Sequence, residues 1–235
     1  MGIFRIKHVD FERKFSAIRG GCDTLDINEW KDDTRLTEPG WQNRYEYEAE
    51  IISQSLSSLK CKSILEIGSG PGVLSQLIQA KLGHEIEYHL VDKPYAKEYF
   101  NSHNYKGKFF VKDISLDMDT TDLLPSYDVI ICNDTLEHLL APSNVVKKIH
   151  SLLHDKSKLI ISVPNWRMAH QFIYRGLWDY DNFIYFMYIH DIAIDCVYPS
   201  ILQTPFYPKL DSESEMPDDL IQSWNFYFEC SKKPV

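Results

Sequence analysis

The chain has 235 residues, 44% of them hydrophobic, and its 25 Lys and Arg against 34 Asp and Glu leave a net charge of −9. That apolar content suits one domain with decorations, and an acidic chain without Lys/Arg runs argues against a nucleic-acid-binding surface. Five scattered cysteines (Cys22, Cys61, Cys132, Cys196, Cys230) without a CxxC pair argue against a disulfide framework. The chain opens without a signal-peptide core, and no run approaches the roughly 18 apolar residues of a membrane span. The expectation is a cytoplasmic protein, monomer or homodimer, whose partner is a small molecule.

The first 60 residues carry aromatics and charges (Trp30, Trp41, Arg44, Tyr45, Tyr47) ahead of a helix-like stretch, YEYEAEIISQSLSSL. KSILEIG (62–68) is strand-like and runs into a cluster of glycines. VLSQLIQAKLG (73–83) puts Leu74, Leu77, Ile78 and Leu82 on one helical face, with Gly83 as its C-cap. IEYHLVD (86–92) is a second strand, PYAKEYFNSH (94–103) a helix with Pro in its first turn, and KFFVKDI (108–114) a third strand. YDVIICND (127–134) is a fourth, nearly continuous in apolar residues, as a strand buried on both faces should be. NVVKKIHSLLH (144–154) reads as a helix and KLIISVP (158–164) as a fifth strand, ended by Pro164. An aromatic-rich stretch, NWRMAHQFIYRGLWDYDNFIYFMYIH, follows, then IAIDCVYP and WNFYFECSK, two more strand-like runs around an acidic loop.

Strands alternating with helix-length crossovers imply an α/β fold, a parallel sheet with helices on both faces. Ligands of such sheets bind beyond the carboxyl ends of the strands, at the switch point. The glycine loop, LEIGSGPGVL, follows the first strand, at that place. Its spacing, Gly68-x-Gly70-x-Gly72, is one residue shorter than the nicotinamide fingerprint G-x-G-x-x-G, and Glu66 precedes it. A carboxylate aimed into the loop repels a pyrophosphate and suits a cationic group such as an ammonium.

EIGSGPG resembles motif I of the class I S-adenosylmethionine (SAM)-dependent methyltransferases, (D/E)-x-G-x-G-x-G. Asp92, ending the second strand, matches the family's ribose-binding acid, and Asp113 with Ile114 matches its adenine-edge pair. DVIICNDTLEHLLAP and LIISVPN resemble the fourth- and fifth-strand motifs of the subgroup that includes ubiquinone-biosynthesis O-methyltransferases. The likeness covers residues 60 to 165. It implies a Rossmann-like seven-stranded sheet, mostly parallel with an antiparallel C-terminal hairpin, and helices on both faces. It divides the chain into a helical cap at 1–60 and a SAM-binding domain at 61–235, with a substrate-side insert at 165–192.

By this resemblance SAM is the cofactor and S-adenosylhomocysteine (SAH) the product. Glu66 meets the methionine ammonium, Gly68, Ser69, Gly70 and Gly72 let the backbone approach, and Asp92 with Lys93 receives the ribose. Asp113 and Ile114 take the adenine edge, the Asn133 backbone holds the ammonium from the other side, and Arg44 either reaches the cofactor carboxylate or pairs with a neighbouring Glu. His138, in TLEHL, is the catalytic candidate as general base, or else a residue that orients its loop. Asn165, His170, Trp178 and His190 are candidates for the acceptor side, although HDIAI at 190–194 departs from the relatives' H-x-R-F-F pattern. The aromatic stretch 172–188 reads as an acceptor pocket, as core, or as a dimer interface. No His/Cys/carboxylate spacing suggests a metal. Methyl transfer to an oxygen or nitrogen of a small molecule is the leading expectation. The rivals are a SAM-binding protein without catalysis and, disfavoured by the loop spacing and Glu66, a nicotinamide oxidoreductase.

Overall fold

The short β-branched runs between glycines and amphipathic stretches pair side by side into one sheet. In this computed structural model the described residues are 39–56, 61–83, 85–164, 180–200, 210–211 and 225–233. The elements are α1 (Pro39–Leu56), β1 (Ser63–Ile67), α2 (Val73–Leu82), β2 (Glu87–Asp92), α3 (Pro94–Ser102), β3 (Lys108–Val111) and β4 (Tyr127–Asn133). A 3-10 turn (Leu136–His138), α4 (Pro142–Leu152), β5 (Leu153–Pro164), α5 (Tyr180–Tyr188), β6 (Ile192–Ser200), β7 (Leu210–Asp211) and β8 (Asn225–Lys232) complete them. The chain divides into two units, Met1–Gln42 and Asn43–Val235, and the sheet belongs wholly to the second.

The strand order is β3-β2-β1-β4-β5-β8-β6-β7. Strands β1 to β5 run parallel, and β8 inserts antiparallel between β5 and β6. The expected seven-stranded mixed sheet is therefore present, and a two-residue strand, β7, lengthens its β6 edge. The chain builds outward from β1 to β3 and then returns to lay β4 against β1, so the switch point lies between β1 and β4.

Alternation along the strands feeds two apolar layers. Leu65, Ile67, Ile130 and Cys132 pack under α4 and α5, on Val145, Val146, Ile149, Phe183 and Met187. Ile64, Val129, Ile131 and Ile160 face the opposite way, under α1, α2 and α3, on Ala49, Ile52, Leu74, Ile78 and Phe100. Burial on both faces explains why β4 reads as a nearly continuous apolar run. Within the aromatic stretch, the described part is α5, which sends Phe183, Phe186 and Met187 into the core and leaves Tyr185 and Tyr188 exposed.

Several boundaries differ from the sequence expectation. β3 ends at Val111, not 114, because the chain turns at Asp113, whose Oδ1 accepts the Ser115 N–H at 2.9 Å. β5 starts at Leu153, since Ser157 ties the polar HDKS stretch to the sheet by donating to the Tyr127 carbonyl at 2.6 Å. α4 begins at Pro142, where the ring's fixed φ suits a first helical turn. The four described cysteines are buried thiols. Among the described residues no helix is long and apolar enough to cross a membrane.

Candidate functional site

The glycine loop leaves β1 at its carboxyl end and turns into α2. Gly68, Gly70 and Gly72 all adopt positive φ, at 70°, 52° and 86°, a region that side chains with a Cβ rarely enter. Their surroundings differ. A Cβ on Gly68 would fall 2.0 Å from Thr135 Oγ1, and one on Gly72 would fall 2.9 Å from Leu90 Cδ2 and 3.0 Å from Phe100 Cδ2. Those two glycines make room for the protein's own side chains.

Gly70 is tied to the neighbouring strand instead. Its N–H donates to Asp92 Oδ2 at 2.6 Å, while Asp92 Oδ1 accepts the Lys93 N–H at 2.6 Å. A carboxylate offers about four acceptor positions, so two backbone bonds aim the group. The Asp92 carboxylate thus stands at the ends of β1 and β2, oriented by the loop that it braces. The loop is anchored further by Gly68 N–H and Ser69 N–H, both donating to the Val91 carbonyl, at 2.9 and 3.3 Å.

Glu66 lies one strand position before the loop and is 4% exposed. The Tyr88 hydroxyl donates to its Oε2 at 3.3 Å. Burial pushes the Glu66 carboxyl up to about 8, against that hydrogen bond and with the help of Glu48 and Asp92 nearby. A buried carboxyl among other carboxyls is a place where an arriving cation gains.

Arg44, on α1, is committed within the protein. Its Nε donates to Glu48 Oε1 at 2.7 Å and its Nη2 meets Asp134 Oδ2. Burial works against its charge, but Asp134, Tyr227 and Glu48 outweigh that and hold its pKa above the usual value. Asp134 follows β4 with φ 44°. It is held there by the Ser162 hydroxyl at 2.8 Å and by Asn225 Nδ2 at 3.1 Å from Oδ1 and 3.2 Å from Oδ2. The Tyr227 hydroxyl donates to Glu48 Oε1 at 2.5 Å and closes the network. Of the two readings of Arg44, this geometry carries the pairing with a neighbouring Glu and adds Asp134 to it.

Asp134, Ser162, Asn225, Glu48 and Tyr227 were not singled out in the sequence. Glu48 was legible four residues after Arg44. The two β8 residues were not, because strand pairing brings Tyr227 to Glu48 across 179 residues and Asn225 to Asp134 across 91.

The remaining candidates separate. Asp113 is exposed two residues beyond β3, and Ile114 beside it is buried. Asn133 ends β4, its carbonyl accepting from Thr135 Oγ1 at 2.9 Å. His138 ends the 3-10 turn that follows, its side chain 29% exposed and its Nε2 3.6 Å from Oε1 of fully buried Glu137. His190 donates from Nδ1 to the Phe186 carbonyl at 2.7 Å, and its Nε2 pairs with the Ser143 hydroxyl. It sits two residues before β6, which runs parallel to β5 and so begins at the amino edge of the sheet. His190 therefore holds α5 to α4 and is not gathered with the loop. Asn165, His170 and Trp178 lie outside the described residues, as do residues 1–38. Among the described residues no group of three or more His, Cys, Asp and Glu could hold a metal.

Comparison with known proteins agrees with this frame. A family model described as a methyltransferase domain matches residues 41–193. Ubiquinone biosynthesis O-methyltransferases are similar, at 24% identity over 114 residues in Aeromonas salmonicida and 27% over 120 residues in Coxiella burnetii. The matched stretch is 48% of this chain and of the first relative, and 49% of each for the second, so the chain spans about half the length of the curated relatives it matches. Among solved structures, a SAM-dependent methyltransferase from Clostridium acetobutylicum aligns with a TM-score of 0.60 at 10% identity, over 88% of this chain and 99% of that one. The plantazolicin methyltransferase BpumL, solved with a triazolic desmethylPZN analog and SAH, aligns with a TM-score of 0.59 at 17% identity, over 93% of this chain and 94% of that one. At such identities the likeness is one of fold. The buried, cation-seeking Glu66 and the loop-braced Asp92 fit SAM, with its ammonium and ribose diol. With the family model spanning most of the chain, this protein belongs to the methyltransferase-domain family, and its sheet has the fold of SAM-dependent methyltransferases.

Proposed function

We propose that this chain transfers a methyl group to an oxygen or nitrogen of a small molecule. The observation that carries the reading is the Asp92 carboxylate, held by Gly70 and Lys93 N–H groups at the switch of a methyltransferase sheet. SAM, when bound, supplies a methyl group already activated on a sulfonium, so the protein's task is alignment and exclusion of water.

In this reading Glu66 receives the ammonium, Gly68 to Gly72 with Ser69 line the approach, and Asp92 with Lys93 orients the ribose. Asp113 and Ile114 flank the adenine. His138 is the candidate that accepts the acceptor's proton, and fully buried Glu137 beside it favours the orientation of its imidazole. Residues 165–179 are the segment proposed to meet the acceptor, with Asn165, His170 and Trp178 in it. The O-methyltransferase name of the relatives, matched over about half their length, supports oxygen as the first acceptor to try.

The test is to incubate the protein with SAM and panels of phenols, catechols and amines, and to follow SAH by mass spectrometry. SAH formation dependent on one panel supports the reading. His138→Ala is then expected to lower kcat about a hundredfold, within the usual range for general-base loss, while SAM affinity stays unchanged. SAM bound but never consumed by any panel would favour the SAM-binding protein without catalysis.

A further inference from the structure

The buried Glu66 carboxyl has a partner that belongs to no motif of the sequence. Tyr88 lies on β2, four residues before Asp92, and pairs with Ile64 in a register that sets Glu66 opposite Leu90. Tyr88 and Glu66 therefore point to one face of the sheet, two strand positions apart. That is about 6.6 Å along the strand, within reach of a tyrosine side chain. The Tyr88 ring packs in the layer under α1, α2 and α3 and is 2% exposed, and its hydroxyl donates to Glu66 Oε2 at 3.3 Å. Phenylalanine would fill the same apolar space. What tyrosine adds is one donor aimed at one carboxyl.

The groups around the pair show what that donor does. Glu48 comes from α1 with Arg44 bonded to it, Asp92 ends β2, and Cys61 precedes β1. α2 and α3 contribute apolar Leu74, Ile78 and Phe100, and the phenols of Tyr45, Tyr95 and Tyr105 border the layer. Burial, Glu48 and Asp92 all oppose a charge on Glu66, and of the influences on it only the Tyr88 hydrogen bond favours one. The donor is also constant. Burial first, then Glu66 itself, holds the phenol's pKa well above its ordinary value, so Tyr88 keeps its proton while Glu66 titrates. Burial likewise pushes the Cys61 thiol up to about 11, which leaves it neutral over the same range.

We infer that Tyr88 is a positioning residue of the cofactor site, orienting the Glu66 carboxyl and favouring its charged form for the ligand's ammonium. The inference rests on the methyltransferase reading above, which brings the ammonium to Glu66, and adds the residue that governs when Glu66 can receive it. On binding, the Glu66 proton leaves to solvent and the phenol keeps its own. Cofactor affinity is thereby tied to pH through a side chain that does not touch the cofactor.

Calorimetric titration with SAH from about pH 6 to 8 separates this from a packing role. Wild-type affinity should rise with pH as Glu66, with its pKa near 8, ionises. Tyr88→Phe should bind SAH about tenfold more weakly at pH 7, its curve displaced by about one pH unit toward alkali. 5′-Methylthioadenosine, which shares the adenosine and thioether but lacks the ammonium, should bind both proteins alike. In the Glu66→Gln background, Tyr88→Phe should leave SAH affinity where it was. Replacing Tyr88 by 3-fluorotyrosine, close in shape but a stronger donor, should displace the curve toward acid, and this keeps the test decisive where Tyr88→Phe fails to fold. Unchanged SAH affinity at pH 7, equal loss for both ligands, or a loss that persists with Glu66→Gln overturns the inference and leaves the methyltransferase reading intact. A wild-type protein that binds neither ligand removes that reading and the inference with it.

Discussion

Glu66 shows how one buried carboxyl couples folding, pH and ligand. Its pKa stands near 8 in the folded protein, chiefly through burial, against 4.5 for an ordinary Glu. Between those values the folded state holds a proton that the unfolded state has released, so stability falls as pH rises from about 4.5 through 8. Glu66→Gln, neutral at every pH, should flatten that part of the curve in denaturant titrations across pH. An ammonium arriving beside Glu66 favours the ionised form, so SAM binding at pH 7 should release a proton. Calorimetry in two buffers of different ionisation enthalpy would read this as a buffer-dependent heat, and the dependence should vanish in Glu66→Gln. Asp92 makes a different prediction, because its carboxylate braces the loop and is proposed to receive the ribose. Asp92→Ala should weaken SAM by about 1.5–3 kcal/mol, the range for hydrogen bonds to a charged group. An unchanged dissociation constant would remove Asp92 from the ribose.

At the scale of the element, the glycines of the β1–α2 loop divide between packing against side chains and bonding to the Asp92 carboxylate. Gly68 and Gly72 are left-handed and pressed against Thr135, Leu90 and Phe100. Gly68→Ala should therefore cost stability, by about 1–3 kcal/mol or more, as an overpacked and strained position. Gly70 bonds to Asp92 at the rim of the sheet. Gly70→Val, β-branched at positive φ, should abolish SAM binding while circular dichroism and the melting curve stay near wild type. If Gly70→Val instead unfolded the protein and kept residual binding, this glycine too would belong to packing. α1 is the second element where a pairing matters. It contributes Arg44 and Glu48 to a network reaching β4, β5 and β8, and so locks the left-handed Asp134 beside Asn133.

For the whole molecule, the sheet order and the family agree on which ligand the ensemble should select. Anything that binds only the folded state raises its stability in proportion to RT ln(1 + [L]/Kd). SAH at about a hundredfold over its Kd should add roughly 2.7 kcal/mol, visible as a higher melting temperature. NAD at the same concentration should leave the melt where it was, since Glu66 opposes a pyrophosphate in this loop. A shift with NAD and none with SAH would contradict the assignment.

The parallel strands, their helices and the place of the glycine loop were legible in the chain because they are written in local periodicity. The apolar run 127–133 can only be a strand buried on both faces, and Gly83 after Leu82 can only end a helix cheaply. Glu66, Gly70 and Asp92 were legible for the same reason: each lies within a few residues of a strand end whose position the pattern predicts. The partners of those residues were not. Arg44 read as a residue paired with a neighbouring Glu or as a cofactor ligand, and only the packing of α1 on the sheet brings it to Asp134, 90 residues on. His190 looked like an acceptor residue until the antiparallel pairing of β8 put the start of β6 at the amino edge. The division of the three glycines depended on Thr135, Leu90 and Phe100 arriving from three other elements. Local chain chemistry determines which elements form and what their ends can offer. Which side chains meet is decided by register and packing between strands far apart in the chain.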